Sequence, residues 1–415
     1  MSRLFPRRAF LQSVLASAAG AATAAPRART KPKPEEPGAP FQLEGGRILV
    51  ETAFVTPDGG QRRALAFFNM GMGRAALAPA LRAELGLDRG APLRYSLAGA
   101  DFETPADTVD VAKADFITGI SLNQMFDPMK VEAMLSPSLL CDRVLVLDYG
   151  RRRLIVAEPG KIAPEGAAAP IELNPQTGLA AVTVDISGAP HAFVIDAGSG
   201  YCWMRGQTLA EWLANAPDWR RAVGAVGAAN YNMIDFGFEK QGTIARLPEI
   251  TIGETSVANI GMLGTGPLLG AFGDALIGDV FWDNWQKSAP RPVVGWLGAN
   301  VLKHFRLTID YPNRQSYWLQ QSTPDPHDLD QPGVTLVRRN GRYFIGGLVH
   351  PVNGQPLEGV QVGDELVAIE GLNTRASGKG AVLAALRAPA GQSRTLTLLG
   401  AGGERKIEAP ALDLS

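Results

Sequence analysis

The chain has 415 residues, more than one compact core normally takes, and its 46% hydrophobic and 20% charged residues match the composition of globular domains. A formal net charge of −1 removes the electrostatic case for a nucleic-acid or anionic-membrane partner. Two cysteines, Cys141 and Cys202, exclude a disulfide framework and a closed zinc site, and the four scattered histidines (His191, His304, His327, His350) form no metal-binding pair.

Residues 1–25 combine a basic start, an apolar run from Ser13 to Ala25 and the small-residue end Ala22-Thr23-Ala24, the three parts of an export signal. Arg7-Arg8-x-Phe10-Leu11 resembles the twin-arginine signal, which implies export of a folded protein and a periplasmic or secreted location. Residues 26–40 are rich in Pro, Lys, Arg and Glu and read as a stiff linker. No later run is long enough for a membrane helix. In an oxidising compartment one Cys141–Cys202 bridge is open, but two buried, unbridged thiols are the expectation.

An internal repeat organises the middle of the chain. Leu65-Ala-Phe-Phe-Asn69-Met-Gly-Met-Gly73 precedes a helical run from Ala75 to Leu87, and Ala192-Phe-Val-Ile-Asp196-Ala-Gly-Ser-Gly200 precedes another from Met204 to Leu213. Each is an apolar strand, a polar residue, a glycine turn and a helix. Alternating strands open both units, at Arg47–Phe54 and Leu179–Ile186. Both units close on a short Leu-bearing helix, a strand ending in Asp-Tyr (Asp148-Tyr149, Asp310-Tyr311), a turn and a last strand. Asp148 and Asp310, between strand and turn, read as backbone-bonding turn residues. From Asn69 to Asp148 is 79 residues and from Asp196 to Asp310 is 114, so the second unit is 35 longer; the Gly- and Trp-bearing stretch Gly261–Pro292 is the expected excess. All seven tryptophans lie between Trp203 and Trp318, and filling the larger unit's core is their expected role.

The ordered pair of elements, found twice, resembles the bacterial retropepsin-like aspartic proteases, over residues 41–160 and 170–322. The resemblance implies a mainly β fold of two acid-protease β-barrel lobes, a polypeptide substrate or ligand, and no cofactor. It also implies one carboxylate from each lobe's turn. Such proteolysis needs two close carboxylates sharing one proton, one activating water and the other polarising the scissile carbonyl. The second turn supplies Asp196-Ala197-Gly198-Ser199, but the first carries Asn69-Met70-Gly71. Asn69 is thus a degenerate partner, since an amide does not share that proton. Met70 and Ala197 stand where the family has a hydroxyl. Asp101, Asp107 and Asp110 are the carboxylates considered as replacements. Ser199 lacks the first glycine of a Gly-x-Ser-x-Gly elbow and has no evident His partner, against a serine nucleophile. Flap hairpins are expected at Arg94–Thr104 and Val223–Phe238, with Tyr95 and Tyr231 as ligand-touching candidates whose plainer role is packing.

From Pro332 the pattern changes. Asn340-Gly341 between two strand-like runs signals a hairpin, and Gly359-Val-Gln-Val-Gly363-Asp364-Glu-Leu-Val-Ala-Ile-Glu-Gly371 resembles the core of PDZ domains, over residues 333–415, with a helix expected at Gly380–Arg387. PDZ domains take a peptide as an added strand. Gly346-Gly347 is the nearest candidate for a carboxylate-capturing loop. The resemblance implies an exported aspartic endopeptidase-family protein whose cleft is coupled to a peptide-binding domain, with activity set against it by Asn69. The alternatives are a catalytically inactive binding module and a homodimer pairing two copies of Asp196.

Overall fold

A computed structural model describes residues 38–112, 122–229, 231–234, 241–266, 280–351 and 357–412, and the statements below concern these. The expected export signal and nearly all of the linker lie outside them. The chain is mainly β, with 45% strand, 15% helix and barrel-like sheets.

The first unit runs β1 Ala39–Glu44, β2 Arg47–Val55, β3 Gln61–Phe68, β4 Ala76–Leu77, helix α1 Pro79–Glu84, β5 Leu93–Leu97, β6 Ala100–Thr104, β7 Asp110–Val111, α2 Leu122–Phe126, β8 Val131–Leu135, β9 Val144–Asp148 and β10 Arg153–Ala157. The second runs β11 Ala167–Leu173, β12 Ala180–Ile186, β13 Ala189–Ile195, β14 Trp203–Met204, α3 Gly206–Asn215, β15 Arg221–Val223, β16 Thr243–Ile252, β17 Thr255–Gly264, α4 Val280–Gln286, β18 Gly295–Leu297, α5 Ala299–Leu302, β19 Phe305–Asp310 and β20 Gln315–Gln320.

The two units repeat one topology. In each, the strand before the polar turn runs parallel to a late strand, β3 with β8 and β13 with β18. A short strand after the turn returns antiparallel to that same partner, β4 on β8 and β14 on β18. Strands β3 and β8 are buried along their apolar runs because neighbours cover both faces, as parallel pairing requires. The closing hairpins then join the units: β9 pairs antiparallel with β19, with Val146 opposite Thr308 at the centre of the register. The full order β1-β10-β9-β19-β20-β11 is a six-stranded sheet symmetric about that pair.

The run expected as one helix from Ala75 to Leu87 instead opens as β4, continues as the short α1 from Pro79 and stops at Gly86, whose φ is 75°. Pro79 at the first helical position fixes that start, and a left-handed glycine ends it. Likewise Met204 belongs to β14, and α3 begins at Gly206. Cys141 and Cys202 are free thiols; Cys202 is fully buried and Cys141 half-buried.

The C-terminal domain holds β21 Val334–Arg339, β22 Arg342–Leu348, β23 His350–Pro351, β24 Glu365–Ile369, β25 Leu372–Asn373, α6 Lys379–Leu386, β26 Ser393–Gly400 and β27 Gly403–Pro410. Its sheet runs β21-β22-β24-β26-β27, with α6 supplying Val382, Leu383 and Leu386 to the core. Asn340 and Gly341, at φ 50° and 76°, form the two-residue turn that only such a pair adopts readily. Gly363, at φ 98°, turns the chain, and the Asp364 carboxylate accepts the Gln361 N–H at 2.8 Å and meets Arg405, so both build the fold. Gly346-Gly347 lies inside β22, where the register shifts opposite Thr335 and Leu336, rather than in a separate loop. The domain is fastened to the second unit by β23 on β15 and by the Gly227 N–H donating to Thr335 Oγ1 at 2.6 Å, and to the first by Glu44 Oε1, which accepts the Gly380 N–H at 3.0 Å.

Candidate functional site

Asn69 and Asp196 each follow the last residue of a buried strand, β3 and β13. Each N–H donates to the end of the parallel partner strand: Asn69 to Leu135 O at 2.9 Å, Asp196 to Leu297 O at 3.0 Å. Each side-chain oxygen caps its own turn. Asn69 Oδ1 accepts the Gly71 N–H at 2.9 Å, and Asp196 Oδ1 accepts the Gly198 N–H at 2.7 Å. An amide oxygen and a carboxylate oxygen thus do the same local work.

The two turns interlock. A methyl group built on Gly71 would fall 2.3 Å from Asp196 Oδ2, and one on Gly198 would fall 2.2 Å from Asn69 Oδ1. Glycine is needed at both because the opposing side chain fills the space. The remaining Asn69 donor, Nδ2, points to Met134 Sδ at 3.5 Å. Met70 and Ala197, at the positions where a hydroxyl was expected, are buried in the apolar core.

Asp196 is 6% exposed, and burial pushes its carboxyl from the ordinary 3.8 up to about 7. The backbone N–H groups of Gly198, Gly71, Met70 and Ser199 oppose that rise, two from each unit's turn. Among the described residues no second carboxylate joins it: Asp101, Asp107 and Asp110 are all exposed, Asp101 bonded to Ser96 within its hairpin and Asp110 paired with Arg74 at 2.9 Å. Asp148 and Asp310 accept N–H bonds from Arg151 (2.9 Å) and Asn313 (3.1 Å), so they are turn residues. Ser199 Oγ donates to Tyr201 O at 2.6 Å and is not aimed at a base. Among the described residues no cluster of three His, Cys, Asp or Glu could hold a metal, and no helix is long and apolar enough to cross a membrane.

Strands β5 and β6 form the hairpin expected at Arg94–Thr104, but Tyr95 is 3% exposed and stacked on Phe102 at 5.2 Å. It is a core residue, held between Phe102 and Phe54 of the neighbouring β2 in the main hydrophobic cluster. The second expected hairpin, Val223–Phe238, spans the connection between β15 and β16; residues 230 and 235–240 lie outside the described ones. Tyr231 stacks on Tyr201 at 6.3 Å, beside the Asp196 turn. Four tryptophans, Trp203, Trp282, Trp285 and Trp296, pack ring on ring at 4.4–5.8 Å and fill a satellite core of the second unit. Sequence reasoning missed Arg47, a buried cation bonded to Asn232 Oδ1 at 2.9 Å and Met125 O at 3.3 Å; an Arg at the head of a strand carries no local sign of partners so distant in sequence.

No protein-family model matches this chain. No curated protein matches it either.

Proposed function

We propose that the chain is an exported polypeptide-binding protein of two retropepsin-like lobes and a PDZ domain, whose cleft binds an extended peptide without cutting it. One observation carries this reading: the position related to Asp196 by the internal repeat is Asn69, bonded to its own turn as Asp196 is to the other. General acid–base hydrolysis needs one group to take a proton from water while another gives one to the carbonyl. Asn69 does neither, and loss of one such partner typically costs about 100- to 10,000-fold in rate. The buried, apolar Met70 and Ala197 remove the hydroxyls that would stiffen a dyad. Small misplacements of reacting groups are themselves costly.

The second reading, a weak single-carboxylate peptidase, is favoured by Asp196 itself, a buried acid poised near neutrality. Denatured casein incubated with wild-type protein and with Asp196→Asn, from pH 3 to 8, separates the two. No release of peptides by either protein supports the binding reading; wild-type cleavage lost in the variant overturns it. Export is tested by Arg7→Lys with Arg8→Lys and cell fractionation, where undiminished export ends the twin-arginine proposal.

A further inference from the structure

One outer strand of the C-terminal sheet is β21, with α6 contributing to the same core. One side of β21 pairs with β22. On the other, the Arg338 N–H donates to Met233 O at 2.8 Å. The Met233 side chain, 1% exposed, sits in the cluster formed by Leu336 of β21 with Val382, Leu383 and Leu386 of α6. The preceding carbonyl, Asn232 O, accepts from Lys379 Nζ at the start of α6, an ammonium that also donates to Gln124 O at 2.6 Å. Met233 adopts φ 52°, a left-handed conformation rare for such a residue and kept only where surroundings over-determine it. A backbone bond at a sheet edge and an apolar side chain sunk between that strand and a helix are two of the contacts an added-strand peptide makes, here made by a segment that is not itself a strand.

Residues 231–233 also reach the Asp196 turn. Tyr231 packs over Gly200, two residues beyond Gly198, so closely that a methyl on Gly200 would come 2.8 Å from its Cγ. The same three residues therefore touch the Asp196 turn at one end and the C-terminal groove at the other.

We propose that residues 231–233 are an internal ligand of the C-terminal domain, and that extended peptides carrying a Met- or Leu-like side chain compete with them for the groove; this rests on reading that domain as a peptide binder. A tethered ligand acts at millimolar effective concentration, so a segment of micromolar intrinsic affinity weakens a competing free peptide by about 1,000-fold. The groove is thus closed to weak peptides until the internal segment leaves, and its departure takes Tyr231 off the cleft turn.

The test uses the full chain and a fluorescein-labelled peptide with the sequence of residues 229–236. Met233→Asp should bind that peptide at least tenfold more tightly than wild type, by anisotropy, whereas Met233→Leu should behave as wild type. Hydrogen exchange at the Arg338 amide should be at least tenfold faster in Met233→Asp and should slow again with added peptide. Met233→Ala, which only shortens the side chain, carries the same readouts if the Asp variant does not fold. Unchanged Arg338 exchange overturns the internal ligand even if peptide binds, leaving the peptide-binding reading standing. Faster exchange with no peptide captured overturns the competition and the peptide-binding reading together.

Discussion

Replacing Asp196 by Asn should stabilise the protein at alkaline pH. The folded carboxyl titrates at about 7 against an ordinary 3.8, because burial disfavours its charge more than four backbone N–H groups favour it. Between those values the folded state holds a proton that the unfolded state has lost. Stability is therefore undiminished below about pH 4, falls as pH rises through the interval, and is lower by up to about 4 kcal/mol above it. Asn does not titrate, so the variant escapes that loss. Its amide oxygen can accept the Gly198 N–H, as Asn69 Oδ1 already does for Gly71. Its amide nitrogen brings donors that need partners, a cost of about 1–3 kcal/mol. The net expectation is a gain of about 1–3 kcal/mol over wild type at pH 8, and a change of about 4 kcal/mol in the difference between the two proteins from pH 4 to pH 8, read by urea unfolding of both at pH 4, 6 and 8. A wild type whose stability relative to the variant holds steady or rises with pH would refute the buried-acid argument.

Two further outcomes follow from single contacts. Gly198→Ala places a methyl 2.2 Å from Asn69 Oδ1 and 2.9 Å from Asn69 Cα, so thermal unfolding should show a loss of about 1–3 kcal/mol; an unchanged melting temperature would mean that the turns do not interlock. In the C-terminal domain, Arg342 and Arg375 hold the buried Glu365 carboxyl down at about 2 from 4.5. That contribution is present above pH 4.5 and lost as pH falls through 2, so Arg342→Ala should lower the melting temperature at pH 7 and by progressively less as pH falls through 2, by circular dichroism melts.

The sequence made the two turns legible because everything that builds them is local. Apolar runs such as Leu65–Phe68 and Phe193–Ile195 demand buried strands, and the glycines after Asn69 and Asp196 mark sharp turns. The Asn340-Gly341 hairpin was legible for the same reason. Helix limits were less so: the apolar period at Ala75–Leu87 fits a helix, yet Ala76-Leu77 go to β4 because β8 offers backbone partners there. The joining of β9 to β19 left no trace, since an alternating strand at Val144–Asp148 serves equally well at an edge or at a centre. Neither did the seat of Asn232 and Met233, residues with no periodic context whose partners Lys379 and Arg338 lie more than a hundred positions away.

The central proposal is that Asn69 is the main reason hydrolysis is withheld, with the missing hydroxyls at Met70 and Ala197 a lesser one. Asn69→Asp would set a second carboxyl on the turn that faces Asp196, where two like charges cannot both ionise and one proton is shared. The most direct measurement is cleavage of denatured casein by wild type and Asn69→Asp across pH 3 to 7. The account predicts no wild-type cleavage and an acid-optimum activity in the variant that is abolished by adding Asp196→Asn. Robust cleavage by the wild type, or a variant as inert as the wild type while folded, would contradict it.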